Sequence, residues 1–317
     1  MPVIWQLSII QFQEKTLVSG VVLKKTPSLY SHKVSRFRNL MKVGGSYFIH
    51  AVAGQKVNIR FGDKVHNTKT TGRGSFNLVL ENHETRIPEI TLEGNDEPLE
   101  IIQDYPVVLK NTESPFDVIS DIDDTILRSY SSDAFRRITT LALTSPYKRK
   151  VIGFTRSLFK RFSTQDARVF YISKSESNLF NLLTSYIRFN EFPEGAMFLT
   201  SYLSLMNLFN PHKGHDYKLN HIRFIMRNSG DKQFYLLGDD GQRDMEIYLS
   251  VASEFPDRIA NVFIRQTRSK RSNKQKEMWE KLKQKVPGAV YYQDGDETKS
   301  GFETLLDFAE TKDKEKD

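Results

Sequence analysis

The run Val118-Ile119-Ser120-Asp121-Ile122-Asp123-Asp124-Thr125 is an apolar segment that ends abruptly in acid. Side chains alternate faces along a strand, so Asp121 and Asp123 point one way while Ile122 turns to the core. Two carboxylates held that close repel each other, and a fold keeps such a pair where something uses it. Two uses are open: binding a hard cation such as Mg2+, or chemistry in which one carboxylate is ionised and its neighbour protonated. A solvated Asp-rich loop is the plainer alternative. It accounts poorly for an apolar strand, then Asp-x-Asp-Asp-Thr, then Ile-Leu.

Further chemistry is expected where other strands end. Val169-Phe-Tyr-Ile172 runs into Ser173-Lys174-Ser175, and Phe234-Tyr-Leu-Leu-Gly238 runs into Asp239-Asp240-Gly241-Gln242-Arg243-Asp244. Between them Lys218 opens an amphipathic helical pattern through Ile222 and Ile225. Acidic strand ends, a hydroxyl strand end and a lysine are the parts of a magnesium-dependent phosphoryl-transfer site. Mg2+ takes a few carboxylates plus water and phosphate oxygens, while lysine and hydroxyl groups stabilise the transferring oxygens. Lys213 competes with Lys218 for the lysine role, and the helix after Asp216 favours Lys218. Asp124 and Asp240 read as solvent-facing companions. Pro211-His212-Lys213-Gly214-His215-Asp216 reads as a polar loop and not as a zinc site.

These residues need a frame. Up to about Lys110 the pattern is all β, with strands expected at Ile4–Phe12, Leu17–Lys25, Tyr47–Val52, Lys56–Phe61, Phe76–Glu81, Glu89–Glu93 and Tyr105–Lys110. Such spacing favours a sandwich or barrel. His32, His50, His66 and His83 are scattered singly and read as surface or packing residues. After the linker Asn111–Pro115, short apolar runs alternate with helical patterns near Lys150–Phe162, Glu176–Phe189, Asp216–Arg227, Gln242–Ser253 and Lys274–Lys285. That alternation implies βαβ units and a doubly wound parallel sheet, which binds ligands beyond the carboxyl ends of its strands. The expected division is a β-rich, sandwich-like domain over 1–112 and an α/β domain over 113–317. Thr311–Asp317 reads as a frayed tail.

Asp121-Ile-Asp123-Asp-Thr125, Ser173, Lys218 and Gly238-Asp239-x4-Asp244 resemble the four motifs of the haloacid dehalogenase superfamily. More narrowly, Ser120–Ile126, Tyr171-Ile-Ser-Lys-Ser175 and Leu237–Tyr248 resemble the actin-patch-protein type of phosphatidate phosphatase, as do Glu254–Ile259 and Phe263–Arg265. The likeness covers roughly Phe116 to Arg265. It implies a haloacid dehalogenase type of α/β sheet and a Mg2+ cofactor held by Asp121, Asp123, Asp239 and Asp244. It also implies that Asp121 is the nucleophile and that Asp123 protonates the leaving alcohol and then activates water. Thr125 would brace the loop, Ser173 would bind the phosphoryl group and Lys218 would stabilise its charge. The sequence departs from the family at Lys174-Ser175-Glu176-Ser177, where Asn-Ser-Pro-Trp is usual, and at Asp240, where serine is usual. Both departures lie where substrate is held.

The composition narrows the class further. The chain has 317 residues, 38% hydrophobic and 27% charged, so it has material for two folded domains. It has no cysteine, which excludes disulfides, thiolate metal sites and a cysteine nucleophile. Its first residues carry no basic secretory pattern, and no apolar stretch is long enough for a bilayer span, so a cytoplasmic protein is expected. The net charge of +7 is uneven: Ala134–Arg161 and Arg268–Lys285 each hold eight Lys or Arg, the first with no acid. Around Val151, Thr155, Leu158, Phe159 and Phe162 an apolar stripe is flanked by Arg149, Lys150, Arg156, Lys160 and Arg161. It reads as a packed helix with snorkelling bases, and secondly as a membrane-surface helix.

The resulting expectation is a phosphatase that hydrolyses phosphatidate to diacylglycerol and phosphate. It would work at an anionic membrane surface, as a cytoplasmic enzyme with peripheral attachment and without specific nucleic-acid binding. The rivals are the same chemistry on a soluble or nucleic-acid phosphate, and a non-catalytic adaptor whose β domain binds a protein partner.

Overall fold

The computed structural model describes residues 1–27, 29, 36–123, 125–126, 153–201, 215–241, 243–267 and 270–293. Asp124, His32, the basic run as far as residue 152 (Arg149, Lys150 and Val151 included), Pro211, His212, Lys213, Gln242, Arg268 and the tail Thr311–Asp317 lie outside the described residues.

The N-terminal part comprises strands β1 (Val3–Gln11) and β2 (Thr16–Leu23), helix α1 (Arg36–Ser46), and strands β3 (Lys56–Phe61), β4 (Lys64–Lys69), β5 (Ser75–Leu80), β6 (Glu89–Leu92), β7 (Glu100–Ile101) and β8 (Val108–Leu109). One sheet has the order β5-β2-β1-β7, with β8 also pairing β1, and an antiparallel sheet has the order β4-β3-β6. Ile4, Leu7, Ile9, Val18 and Val22 of the first share an apolar core with Val57, Ile59, Ile90 and Leu92 of the second.

β1 is buried along its whole length because both its faces are covered. Its register shifts between Trp5 and Ser8, where Gln6 adopts a left-handed φ of 55°. The extra residue returns Leu7 and Ile9 to the face of Ile4, which a strict two-residue alternation would not allow.

The strand expected at Tyr47–Val52 is not formed. The preceding residues form α1, and only an isolated bridge joins Leu23 to Ala51. β2 is paired on both sides as far as Val21, so residues 47–52 reach it only past that point, at Val22–Lys24.

The C-terminal part alternates as its pattern requires. In chain order come β9 (Phe116–Ser120), α2 (Gly153–Thr164), β10 (Val169–Glu176), α3 (Phe180–Phe189), β11 (Ala196–Thr200), α4 (His215–Asn228), β12 (Gln233–Asp239), α5 (Asp244–Glu254), β13 (Ile259–Arg265), α6 (Asn273–Lys285) and β14 (Val290–Tyr292). The strands form one sheet in the order β11-β10-β9-β12-β13-β14, every neighbouring pair parallel. The protein is therefore α/β here, with separate small sheets before it.

Alternate strand residues face two cores. Val118, Tyr171, Tyr235 and Leu237 pack with the apolar stripes of α2 and α3. Ile119, Phe170, Ile172 and Leu236 pack with those of α4, α5 and α6. On α2 the described residues of the expected stripe, Thr155, Leu158, Phe159 and Phe162, are buried, as is Phe154, and Arg156 pairs with Glu191 at 2.6 Å. Its apolar face is thus already used inside the fold.

The two parts are joined by buried contacts. Val3, Trp5 and Tyr105 enter the α2–α3 core, and Ile10, Phe12 and Leu17 enter the other. At the amino end of the sheet, Arg168 donates to both oxygens of Asp117 at 3.1 and 2.5 Å and to the Gln11 carbonyl at 2.5 Å. Lys232 donates to the Thr112 carbonyl at 2.7 Å, pinning the linker. Among the described residues no helix is long and apolar enough to cross a membrane.

Candidate active site

The chain runs from β9 outward to β10 and β11, then returns to β12 on the other side of β9. The reversal opens a crevice at the carboxyl end of β9, the usual ligand position in such sheets. Asp121 leaves β9 there, with its N–H donating to the Leu237 carbonyl of β12 at 2.8 Å. Asp239 ends β12 beside it, and Asp244 begins α5. A carboxylate at a helix start is favoured by the dipole.

Gly238 lets these acids meet. A Cβ at that position would lie 2.6 Å from Asp244 Oδ2 and 2.8 Å from the Tyr248 ring, closer than real contacts allow. With glycine there, Asp244 Oδ2 approaches closely enough to accept from the Asp239 N–H at 3.2 Å. Asp239 Oδ1 also accepts from the Gly241 N–H at 2.5 Å.

Asp121, Asp239 and Asp244 are all buried, with one oxygen from each lying within 4.8 Å of the others. Lys218, reaching in from α4 and itself 1% exposed, places Nζ 3.0 Å from Asp121 Oδ1 and 2.5 Å from Asp244 Oδ1. Three carboxyl groups thus crowd around one ammonium. Burial, the largest influence on Asp121, pushes its carboxyl up to about 8; Lys218 opposes the rise, while Asp244 and Asp123 add to it. Burial alone would lower the Lys218 ammonium, but Asp121 and Asp244 outweigh it and raise its pKa. Asp121 Oδ2 is buried without a hydrogen-bond partner in the protein. An all-oxygen donor set of three buried, closely spaced carboxyl groups fits a hard divalent cation.

Asp123 takes a different position from the other acids. Its Oδ2 accepts from Ser173 Oγ at 2.8 Å and from Ser175 Oγ at 3.0 Å, and the Ser175 N–H donates to Ser173 Oγ at 2.9 Å. It lies outside the compact group of three carboxylates. Thr125 is fully buried, and its carbonyl accepts from Thr155 Oγ1 at 3.1 Å, which ties the loop after β9 to α2. Of the residues singled out from sequence, the structure brings Asp121, Lys218, Asp239 and Asp244 into one cluster, and Asp123 and Ser173 into contact beside it.

Two residues play parts that the sequence reading did not give them. Ser175 holds Asp123, although only the spacing Ser-x-Ser at a strand end hinted at it. Asp240, read as solvent-facing, is 3% exposed. Its Oδ1 accepts from Thr267 N and Oγ1 at 2.8 and 2.6 Å, and its Oδ2 accepts from the Tyr291 hydroxyl at 2.5 Å. Gln275 of α6 donates to its carbonyl at 2.7 Å. Asp240 therefore fastens the turn that carries Asp239 to β14 and α6, and these partners keep it from solvent.

Comparison with known proteins bears on this site. Residues 116–266 match the family described as phosphatidate phosphatase APP1, catalytic domain. An uncharacterized protein of Schizosaccharomyces pombe is 28% identical over 170 residues, covering 53% of this chain and 27% of that protein. Phosphatidate phosphatase APP1 of Saccharomyces cerevisiae is 32% identical over 179 residues, covering 55% of this chain and 29% of that protein. The chain thus matches less than a third of the length of either relative. A chain of the solved Pnkp1/Rnl/Hen1 complex is 14% identical with a TM-score of 0.33, covering 53% of this chain and 52% of that one. A likeness that weak supports no argument.

Proposed function

We propose that this chain, whose residues 116–266 belong to the family of the phosphatidate phosphatase APP1 catalytic domain, is a Mg2+-dependent phosphatase that works through an aspartyl-phosphate. Phosphatidate is its best substrate, cleaved to diacylglycerol and phosphate. The observation that carries the reading is the buried contact of Lys218 with Asp121 beside Asp239 and Asp244.

Asp121 Oδ2, bare and at the sheet's switch point, is the attacking oxygen. Lys218 orients Asp121 and supplies positive charge to the phosphoryl oxygens as the bond to the leaving alcohol breaks. Asp123, steadied by Ser173 and Ser175, gives a proton to that alcohol, then takes one from the water that opens the acyl phosphate. Asp121, Asp239 and Asp244 would hold Mg2+, which supplies charge neutralisation for the phosphoryl group. The β9 loop and the Asp239 turn stay in place through Thr155, Thr267 and Tyr291.

The parallel sheet with helices on both faces is of haloacid dehalogenase type in this reading. Residues 1–112 form a sandwich-like unit packed against residues 113–317. The family supports phosphatidate as substrate, and the buried acids with Lys218 support the phosphatase chemistry. Phosphate release from phosphatidate, nucleotide and sugar phosphates, each with Mg2+ and with EDTA, tests both. Mg2+-dependent release greatest on phosphatidate is expected. Release greatest on a soluble phosphate would refute the lipid assignment, and no release from any substrate would refute the enzyme.

A further inference from the structure

Three large apolar side chains of one short segment stand exposed: Phe37 at 70%, Met41 at 62% and Phe48 at 66%. Phe37 and Met41 are four residues apart on α1 and share a face. Phe48 follows in a turn closed by bonds from its N–H to the Gly45 carbonyl and from Tyr47 N–H to the Gly44 carbonyl, both 3.1 Å. The segment is anchored from below, because Tyr47 is 3% exposed and belongs to the same core as Val118 and Phe180. An anchored element that shows large apolar groups outward has a surface to meet.

The charge around it identifies that surface. Between Glu14 and Asp63 the chain has no acid and nine Lys or Arg. Arg38 on α1 is exposed, as are Lys24 and Lys25, and the Lys24 N–H donates to the His50 carbonyl at 2.9 Å. That bond sets the lysine pair beside the Phe48 turn. The position is also telling. α1 packs against the short helix Ser177–Leu179, where Asn178 Nδ2 donates to Ser46 Oγ at 3.5 Å. That helix directly continues the strand end carrying Ser173 and Ser175, so the patch stands at the catalytic end of the sheet.

We propose that α1 and the Phe48 turn dock the protein on an anionic lipid bilayer. Phe37, Met41 and Phe48 enter the boundary between headgroups and acyl chains, and Arg38, Lys24 and Lys25 meet anionic headgroups. The catalytic crevice is thereby held against the surface that supplies a phosphomonoester lipid, an extension that rests on the substrate reading above. A second copy of the chain would bring the same bases face to face, so charge favours the bilayer. α2, which is also basic, has its apolar face buried and is not suited to this role.

Flotation of the full chain with vesicles of phosphatidylcholine alone, or with added phosphatidylserine, reads docking without any substrate. The wild type should float with the anionic vesicles. F37S/M41S/F48S should weaken apparent affinity about tenfold or more. K24Q/K25Q/R38Q should weaken it at low salt and much less at high salt. Both variants should keep wild-type turnover on a soluble aryl phosphate and a native circular dichroism spectrum. If the wild type fails to float, or floats as well after both sets of substitutions, the docking surface is wrong. A wild-type dimer that the Ser variant dissociates, with vesicle binding unchanged, would overturn it in favour of self-association. Binding that follows the expected pattern without hydrolysis of phosphatidate would uphold docking and sink the substrate reading alone.

Discussion

Lys218 Nζ lies 3.0 Å from Asp121 Oδ1, with both side chains 1% exposed, and the same ammonium contacts Asp244 at 2.5 Å. A lysine so placed has two consequences that separate in experiment. It keeps three neighbouring acids from repelling one another in a dry crevice, and it leaves Asp121 Oδ2 free of a protein partner.

Replacing Lys218 with Met should therefore abolish activity and also destabilise the protein in EDTA by about 3 kcal/mol, the usual cost of breaking a buried ion pair from one side. Adding Mg2+ should recover part of that loss, since a cation bound by the native state stabilises it by mass action. Urea melts in EDTA and in Mg2+ measure both effects. Equal stability of variant and wild type in EDTA would show that the lysine does not hold the acids together.

Asp123 and Ser175 should be distinguishable by leaving group. Asp123→Asn removes the proton donor, so alkyl phosphates should lose far more turnover than aryl phosphates, whose leaving oxide needs little protonation. Because the same residue activates water, phosphoenzyme should accumulate with the aryl substrate. Ser175→Ala keeps the acid but removes one of its two hydroxyl partners, so it should show the same preference at about a tenth of the effect or less. Steady-state rates on the two substrate types, with acid-quench trapping of phosphoenzyme, decide the matter. Equal losses on both types would refute the acid role.

The acids were legible in the sequence because a parallel sheet collects its strand ends in one place. Asp121 could be grouped with Asp239 and Asp244 from two separate segments on that rule. Asp240 was not legible, since its partners Thr267 and Tyr291 lie on later elements and nothing local marks their approach. Ser175 depended on a register shift in β10 between Ile172 and Glu176 that periodicity does not report. α1 was missed for a local reason. Gly44-Gly45 reads as a turn, and Arg36–Ser46 has no acid in its first turn to mark a helix start. The contacts between the two parts, such as Trp5 Nε1 donating to the Ser177 carbonyl at 2.8 Å, join residues far apart in sequence and leave no pattern in it.

At the opposite end of the sheet the Arg168–Asp117 pair is structural. Arg168→Met should lower stability by about 3 kcal/mol, because among the described residues it leaves the fully buried Asp117 with Lys232, at 3.4 Å, as its ion-pair partner. Turnover per folded molecule should be unchanged, since these residues sit at the amino end of the sheet, opposite the strand ends that carry the acids. A fall in kcat without a fall in urea midpoint would contradict this.

Stability should also carry a signature of His221. Its ring lies against Tyr217 and Phe198, with centroids 4.2 and 4.9 Å away, and Nδ1 contacts the Tyr217 carbonyl at 2.8 Å. Burial, the largest influence, lowers its pKa below the ordinary 6.5; the bond to the Tyr217 carbonyl opposes the shift without cancelling it. The folded state therefore binds a proton less readily than the unfolded one, and the unfolded state carries more protons between the two pKa values. By linkage, unfolding free energy rises with pH across that interval. The contribution is fully present above about 6.5, the unfolded histidine value, and is lost as pH falls through the lower folded value. Urea melts from pH 5 to 8 should show this slope in the wild type and lose that part of it in His221→Gln, whose side chain does not titrate. An identical pH dependence in the two proteins would mean that the aromatic contacts of His221 leave its proton affinity untouched.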